Sequence, residues 1–198
     1  MKITDITYDC VEVPYSQPFH PTWYPGKTEK GQIIFIARVH TDEGITGYSC
    51  MEAPHGILPI VCDTMEYVKL FVVGDDPCDI EKIMLKLRNV ARIATRPIIE
   101  NACWDIIGKK ANMPVYKILG AARDRIPVYA AWGELRSNEQ RYDDAQRLVD
   151  MGFRAVKIRF SHEKVKDDIA IIETVRKAVG NKLEIMVDAN QGTACERN

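Results

Sequence analysis

Apolar and polar positions alternate in the first third of the chain, recur every three to four residues in the middle, and switch between the two rhythms in the last third. Residues 2–13, KITDITYDCVEV, alternate loosely, and residues 32–53, QIIFIARVHTDEGITGYSCMEA, read as two strands about the turn Asp42-Glu43-Gly44. Between them lies the Pro/Gly-rich stretch PYSQPFHPTWYPGKTEKG, carrying Phe19, His20, Trp23 and Tyr24. It is too long and too aromatic for a simple turn, and is expected to be a lid or binding loop.

From residue 57 the period becomes helical. Residues 57–74 end at Gly74, residues 79–93 follow Asp76-Pro77, and residues 96–111 place Ile98, Ala102, Ile106 and Lys109 at helical spacing behind Pro97. Strands followed by helices describe an α+β unit. After LGAARDR the order becomes strand, helix, strand, helix, strand. IPVYAAWG (126–133) is the first strand. Ser137 with Gln140 three residues on is a capping-box pattern for a helix striped by Tyr142, Ala145, Leu148 and Val149 and ended by Gly152. RAVKIRF (154–160) is the second strand. Ser161 then caps a helix striped by Val165, Ile169, Ile172, Val175 and Val179, stopped by Gly180, and LEIMVDANQ (183–191) is the third strand. This rhythm predicts a parallel sheet with helices packed against it.

Composition narrows the class without naming a reaction. The chain has 198 residues, 46% hydrophobic and 28% charged, with a net charge of −1, so no global charge argues for nucleic acid or an anionic membrane. No run reaches the ~18 apolar residues of a membrane span, and the first residues carry no signal-peptide core. Cys10, Cys50, Cys62, Cys78, Cys103 and Cys195 are scattered with no metal-ligand spacing, and several sit in apolar patterns where a small buried thiol is expected. A reduced, cytoplasmic protein is the expectation.

The unusual feature is RAVKIRF. Side chains alternate along a strand, so Val156, Ile158 and Phe160 would face the helices while Lys157 and Arg159 share the opposite face. Two like charges side by side are expensive to bury without a counter-charge. On the next strand the same alternation puts Met186, Asp188 and Asn190 on the face of Lys157 and Arg159, at the C-terminal strand ends where parallel sheets build active sites. A structural salt bridge from Lys157 or Arg159 to Asp188 is the simpler reading. One carboxylate does not neutralise two cations, however, and a functional site accounts for all four polar residues.

This pattern, K-x-R on one strand and VDANQ one βα unit later behind an α+β cap, resembles the mandelate racemase/muconate lactonizing enzyme branch of the enolase superfamily. IIENACWDIIGKKANMPVYKILGAARDRIPVYA (98–130) is similar to that family's passage from cap to barrel. The resemblance implies an α+β capping domain over residues 1–125, with a substrate lid at about 16–30. Residues 126–198 would then be the first three strands and intervening helices of a (β/α)7β, TIM-like barrel. It further implies that Lys157 removes the proton α to a carboxylate, that Arg159 assists it or meets the substrate, and that Asp188 is a ligand of Mg²⁺. Asn190, His20, Trp23 and Tyr24 are the implied substrate contacts, with a second substrate-facing loop at about 51–55. His20, read from the residues alone, is an ordinary loop histidine. Trp132 and Glu134, at the end of the first barrel strand, are within possible reach of the site, although Trp132 and Trp104 read first as packing residues.

The chemistry is coherent. The α-proton of a carboxylate is too weakly acidic for an amine to remove unaided, and a metal on the carboxylate oxygens stabilises the resulting enediolate. The reaction implied is an acid-sugar dehydratase, with β-elimination of water following proton abstraction. The alternative is a racemase or epimerase, and the second an inactive truncated fragment or interaction module. The expected partners are a small carboxylate substrate, an acid sugar or hydroxy acid, and further copies of the chain, with neither nucleic acid nor membrane. The chain ends after barrel strand three, so the remaining metal ligands and the second acid/base residue are expected beyond it, and the 198 residues by themselves are expected to be inactive.

Overall fold

The computed structural model describes residues 1–24, 26–54, 56–90, 95–160 and 165–189. The expectations for His55, Ser161, Asn190 and Cys195 lie outside these residues. The chain divides into two compact units, Met1–Tyr15 with Gly31–Asp124, and Ser16–Lys30 with Arg125–Asn198.

The first unit builds on a three-stranded sheet in the order β1 (Ile3–Phe19), β2 (Glu29–Thr41), β3 (Thr46–Glu52). β2 and β3 are antiparallel, with Phe35 opposite Met51 and Val39 opposite Gly47, and Gly44 takes φ +78° in the connecting turn. Alternation sends Phe35, Ala37 and Val39 inward to full burial. There they meet helices α1 (Leu58–Val72), α2 (Ile80–Leu87) and α3 (Thr95–Lys110) through Val61, Met65, Ile83, Leu87, Ile99 and Ile106. A short α4 (Val115–Ile118) follows. Tyr8 stacks on Phe35 with ring centroids 4.9 Å apart. α3 lies very close to β3: a Cβ at Gly47 would stand 2.1 Å from the Ala102 carbonyl oxygen. Beside that contact the Tyr48 amide donates to Asp105 at 2.8 Å and Lys109 Nζ donates to the Thr46 carbonyl at 2.8 Å.

The second unit carries a parallel sheet in the order β4 (Ala130–Trp132), β5 (Ala155–Arg159), β6 (Glu184–Asp188). Ala131 and Met186 flank Lys157, Ile158 lies between Trp132 and Val187, and Arg159 pairs with Asp188. The helices are α5 (Asn138–Asp150) and α6 (Val165–Val179). Ser137 Oγ accepts from the Gln140 amide while the Gln140 side chain accepts from the Ser137 amide, closing the capping box expected from the sequence. Val156 and Ile158 are buried against Ala145, Leu148, Val175 and Val179. The apolar face of RAVKIRF is therefore the helix-facing one.

Four expectations need correction. The stretch between the first two strands is not mainly loop: β1 continues to Phe19 and β2 begins at Glu29, so the irregular tip is short. Pro14 and Pro18 sit in β1 without breaking it because β1 is an edge strand, where a missing amide donor is tolerated. β4 is three residues rather than eight: only Ala130–Trp132 pair with β5, and Ile126 and Val128 stay exposed. The stripe of α6 is rotated: Val165 and Ile169 are exposed, while Asp168 is buried and Ile171 joins the core. Of the described cysteines only Cys103 is buried; Cys10, Cys50 and Cys78 are exposed on strand and turn positions, and all are free thiols. Burial pushes the Cys103 thiol up to about 12. Among the described residues no helix is long and apolar enough to cross a membrane.

Candidate active site

The strand register assembles the site at the C-terminal edge of the parallel sheet. Lys157 and Arg159 are two residues apart on β5, and Asp188 ends β6 directly opposite Arg159. Lys157 Nζ lies 3.1 Å and Arg159 Nη2 3.7 Å from the same oxygen, Asp188 Oδ2. Side-chain exposures of 23%, 28% and 29% put all three between core and solvent, where an ion pair is shielded from water without being sealed from it. The salt bridge and the convergence of polar groups are thus both present, and the bridge engages both cations. The Lys157 ammonium also stands 5.7 Å from the centroid of the Tyr129 ring.

Residues 16–30, the expected lid, belong to the same compact unit as these strands, and their tip is held at the end of β4. Pro21 and Glu134 form an antiparallel bridge, the Thr22 amide donates to the Gly133 carbonyl at 2.8 Å, and the Leu135 amide donates to the His20 carbonyl at 2.7 Å. Trp23 extends over the Arg159 guanidinium, 4.6 Å from ring centroid to Cζ, with Phe19 5.7 Å away on the lid side. Arg159 Nε is buried with no hydrogen-bond partner, and so is Thr22 Oγ1. Buried donors are nearly always paired, and an unmade bond costs about 1–3 kcal/mol.

The expected contacts divide. Trp23 reaches Arg159. His20 is exposed and its Nδ1 lies 3.3 Å from Thr28 Oγ1, within the lid itself, as an ordinary loop histidine would. Tyr24 is exposed, with Lys27 Nζ 5.5 Å from its ring. Trp132 is turned away from the rim: its ring lies 4.6 Å from Arg141 Cζ on the helix side. Glu134 is taken by Arg136, at 2.7 Å, and its carbonyl accepts from Arg141. Burial lowers the Arg141 guanidinium to about 10, with Asp144 opposing that shift, so it stays charged at neutral pH. Met51 and Glu52 are in β3, in the other unit. Sequence reading missed Thr22 and Gly133. The signal for Gly133 was available in AAWG: on alternation it follows Ala131 on the face of Lys157, where a residue without a side chain leaves room for something else.

Asp188 offers the hard oxygen that Mg²⁺ takes, but Mg²⁺ wants about six oxygen ligands. Among the described residues no three His, Cys, Asp or Glu side chains gather around one point. The described residues therefore contribute a candidate ligand and not a coordination sphere.

Comparison with known proteins agrees with this layout. Residues 5–120 match the mandelate racemase / muconate lactonizing enzyme N-terminal domain, and residues 140–197 match the enolase C-terminal domain-like family. The chain is 32% identical over 200 residues to an N-succinyl-L-Arg/Lys racemase of Bacillus cereus, covering 97% of this chain and 53% of the racemase. The crystal structure of that racemase superposes with a TM-score of 0.85 at 30% identity, over 97% of this chain and 53% of the other. An arabinonate dehydratase of Saccharolobus solfataricus is 30% identical over 83% of this chain and 47% of its own length. A dipeptide epimerase of Enterococcus faecalis, solved with Mg and L-Leu-L-Tyr, superposes with a TM-score of 0.85 at 26% identity, over 96% of this chain and 54% of the epimerase. The chain spans about half the length of the curated relatives it matches. An antiparallel α+β unit followed by a partial parallel β/α sheet is the capping domain and the opening of a barrel, and the chain belongs to the mandelate racemase/muconate lactonizing enzyme family of the enolase superfamily.

Proposed function

We propose that this chain supplies the first half-reaction of a family enzyme, removal of the proton α to a substrate carboxylate, with Lys157 as the base. The observation that carries the reading is the placement of Lys157, Arg159 and Asp188 on one face at the strand ends. Lys157 receives the proton at Nζ. Arg159, with a buried unpaired Nε, holds an anionic or hydrogen-bond-accepting part of the substrate. Asp188 orients both cations and would give Mg²⁺ one oxygen; the ion, when bound, supplies positive charge against the charge developing on the substrate carboxylate. The lid excludes water from the rim.

Two fates of the deprotonated substrate are supported by different observations. Return of a proton to the opposite face, a racemase or epimerase reaction, is supported by relatives of that kind that align over 97% of the chain. Loss of a β-hydroxyl from an acid sugar, a dehydratase reaction, is supported by the arabinonate dehydratase and by an L-talarate/galactarate dehydratase of Salmonella typhimurium, 30% identical over 80% of the chain. Incubation in D₂O with Mg²⁺ and panels of N-acylated amino acids, dipeptides and aldonic acids tests the reading. In the first case deuterium is expected at the α-carbon with inversion; in the second a 2-keto-3-deoxy product is expected, with deuterium at C3, where the enol formed by loss of water takes its proton from solvent. Lys157→Ala should lower α-exchange by about 10²–10⁴-fold. Unchanged exchange or keto-acid formation in that variant would remove Lys157 as the base, and neither exchange nor keto acid with any panel would sink the reading for this chain.

A further inference from the structure

Gly133 lies where strand, lid and guanidinium meet. Its carbonyl accepts the Thr22 amide at 2.8 Å, and its missing side chain is replaced by the indole of Trp23. A Cβ at Gly133 would stand 2.7 Å from Trp23 Cζ3, inside the distance that real Cβ atoms keep, and 3.5 Å, an ordinary contact, from Cη2. The same indole lies over Arg159 at 4.6 Å. Trp23 is 42% exposed, and what holds it down is its packing on Gly133, Arg159 and Phe19 and the backbone bonds on either side of it. The backbone at Gly133 takes no positive φ, so conformational freedom is not the reason for a glycine there; space is.

We propose that Gly133 and Trp23 form a latch that closes the lid onto the end of β4 and fixes the Arg159 guanidinium beneath it, which makes Gly133 a positioning residue that acts through Trp23. A guanidinium covered on one face by an aromatic ring keeps its plane and offers its edge donors in a set direction. The lid and the cation are thereby coupled: Arg159 is presented in this geometry only while Trp23 occupies the space above Gly133. The latch itself stands on packing; its consequence for turnover rests on the reading of Lys157 and Arg159 given above.

The test is a double-mutant cycle between Gly133→Ala and Trp23→Ala in the full chain, read by tryptic cleavage after Lys27 and identified by mass spectrometry. Each single variant is expected to speed that cleavage about tenfold by raising the population of the open lid. The double variant should be cleaved no faster than Trp23→Ala alone, because a methyl at position 133 has nothing left to displace. Trp23→Phe placed on Gly133→Ala should restore protection to within about threefold, since a smaller ring clears the methyl. Wild-type cleavage in either single variant, or the same acceleration by Gly133→Ala on both backgrounds, overturns the latch. If Gly133→Ala does not fold, as read by far-UV circular dichroism, Trp23→Ala alone decides. In the α-exchange assay, Gly133→Ala should slow exchange in the presence of Trp23 and leave it unchanged on the Trp23→Ala background. Cleavage needs no turnover, so failure of the exchange reading and failure of the latch are told apart.

Discussion

The two units spend their apolar residues differently. The first encloses a continuous core drawn from two strands and three helices, with Phe35, Met65, Ile83 and Ile106 fully buried. The second draws its core from one strand and two helices, and keeps the other face of that strand for Lys157 and Arg159. A strand with both faces apolar would add to the second core, but it would leave no place for charges. The polar rim is therefore set on the smaller of the two cores, and among the described residues the strand carrying it is held from behind by Val156 and Ile158.

Deleting the same bulk from each core separates the two units most strongly. Leu87→Ala, fully buried in the first core, should cost about 4–5 kcal/mol, and Leu148→Ala, which is slightly exposed, about 2–3 kcal/mol, at the low end of the range for Leu→Ala. Urea unfolding followed by amide exchange of each unit reads both; equal costs would mean the second core is as well packed as the first. Alkaline pH acts on the first unit through Cys103 and Tyr8. Burial raises Cys103 to about 12 from 9.0 and Tyr8 to about 12 from 10.0, with Glu66 adding to the second shift. Both groups hold their protons more tightly when folded. Their contribution is fully present below pH 9, falls as pH rises from there, and is lost through about 12. A midpoint of denaturation that stays flat from pH 9 to 12 contradicts this, and Tyr8→Phe with Cys103→Ala should flatten it. The smallest effect is expected at the cap of α5, where Ser137→Ala should cost about 1 kcal/mol and raise amide exchange at the start of that helix only.

Much of this was legible before any coordinates. The period of two in RAVKIRF placed Lys157 and Arg159 on one face, and Ser137 with Gln140 marked the start of α5, because both signals are local. Length was less so. An edge strand tolerates Pro14 and Pro18, so β1 runs on where the prolines suggest a loop, and β4 pairs with β5 over only three residues although β5 itself is five long. The stripe of α6 misled at Val165 and Ile169, since burial on a helix depends on what is packed beside it and not on period alone. Gly133 went unseen because its importance is the volume of a residue more than a hundred positions earlier.

Gly47 has a consequence of another kind. Every other amino acid carries at least the atom that would stand 2.1 Å from the Ala102 carbonyl oxygen, so no exchange at this position is conservative. Mutational drift that freely samples the exposed cysteines and the outer side of α6 is closed at residue 47 unless α3 itself moves away from the sheet. In a library of random variants, that single position would report on whether the first unit has kept its helix seated, independently of anything that happens at the rim.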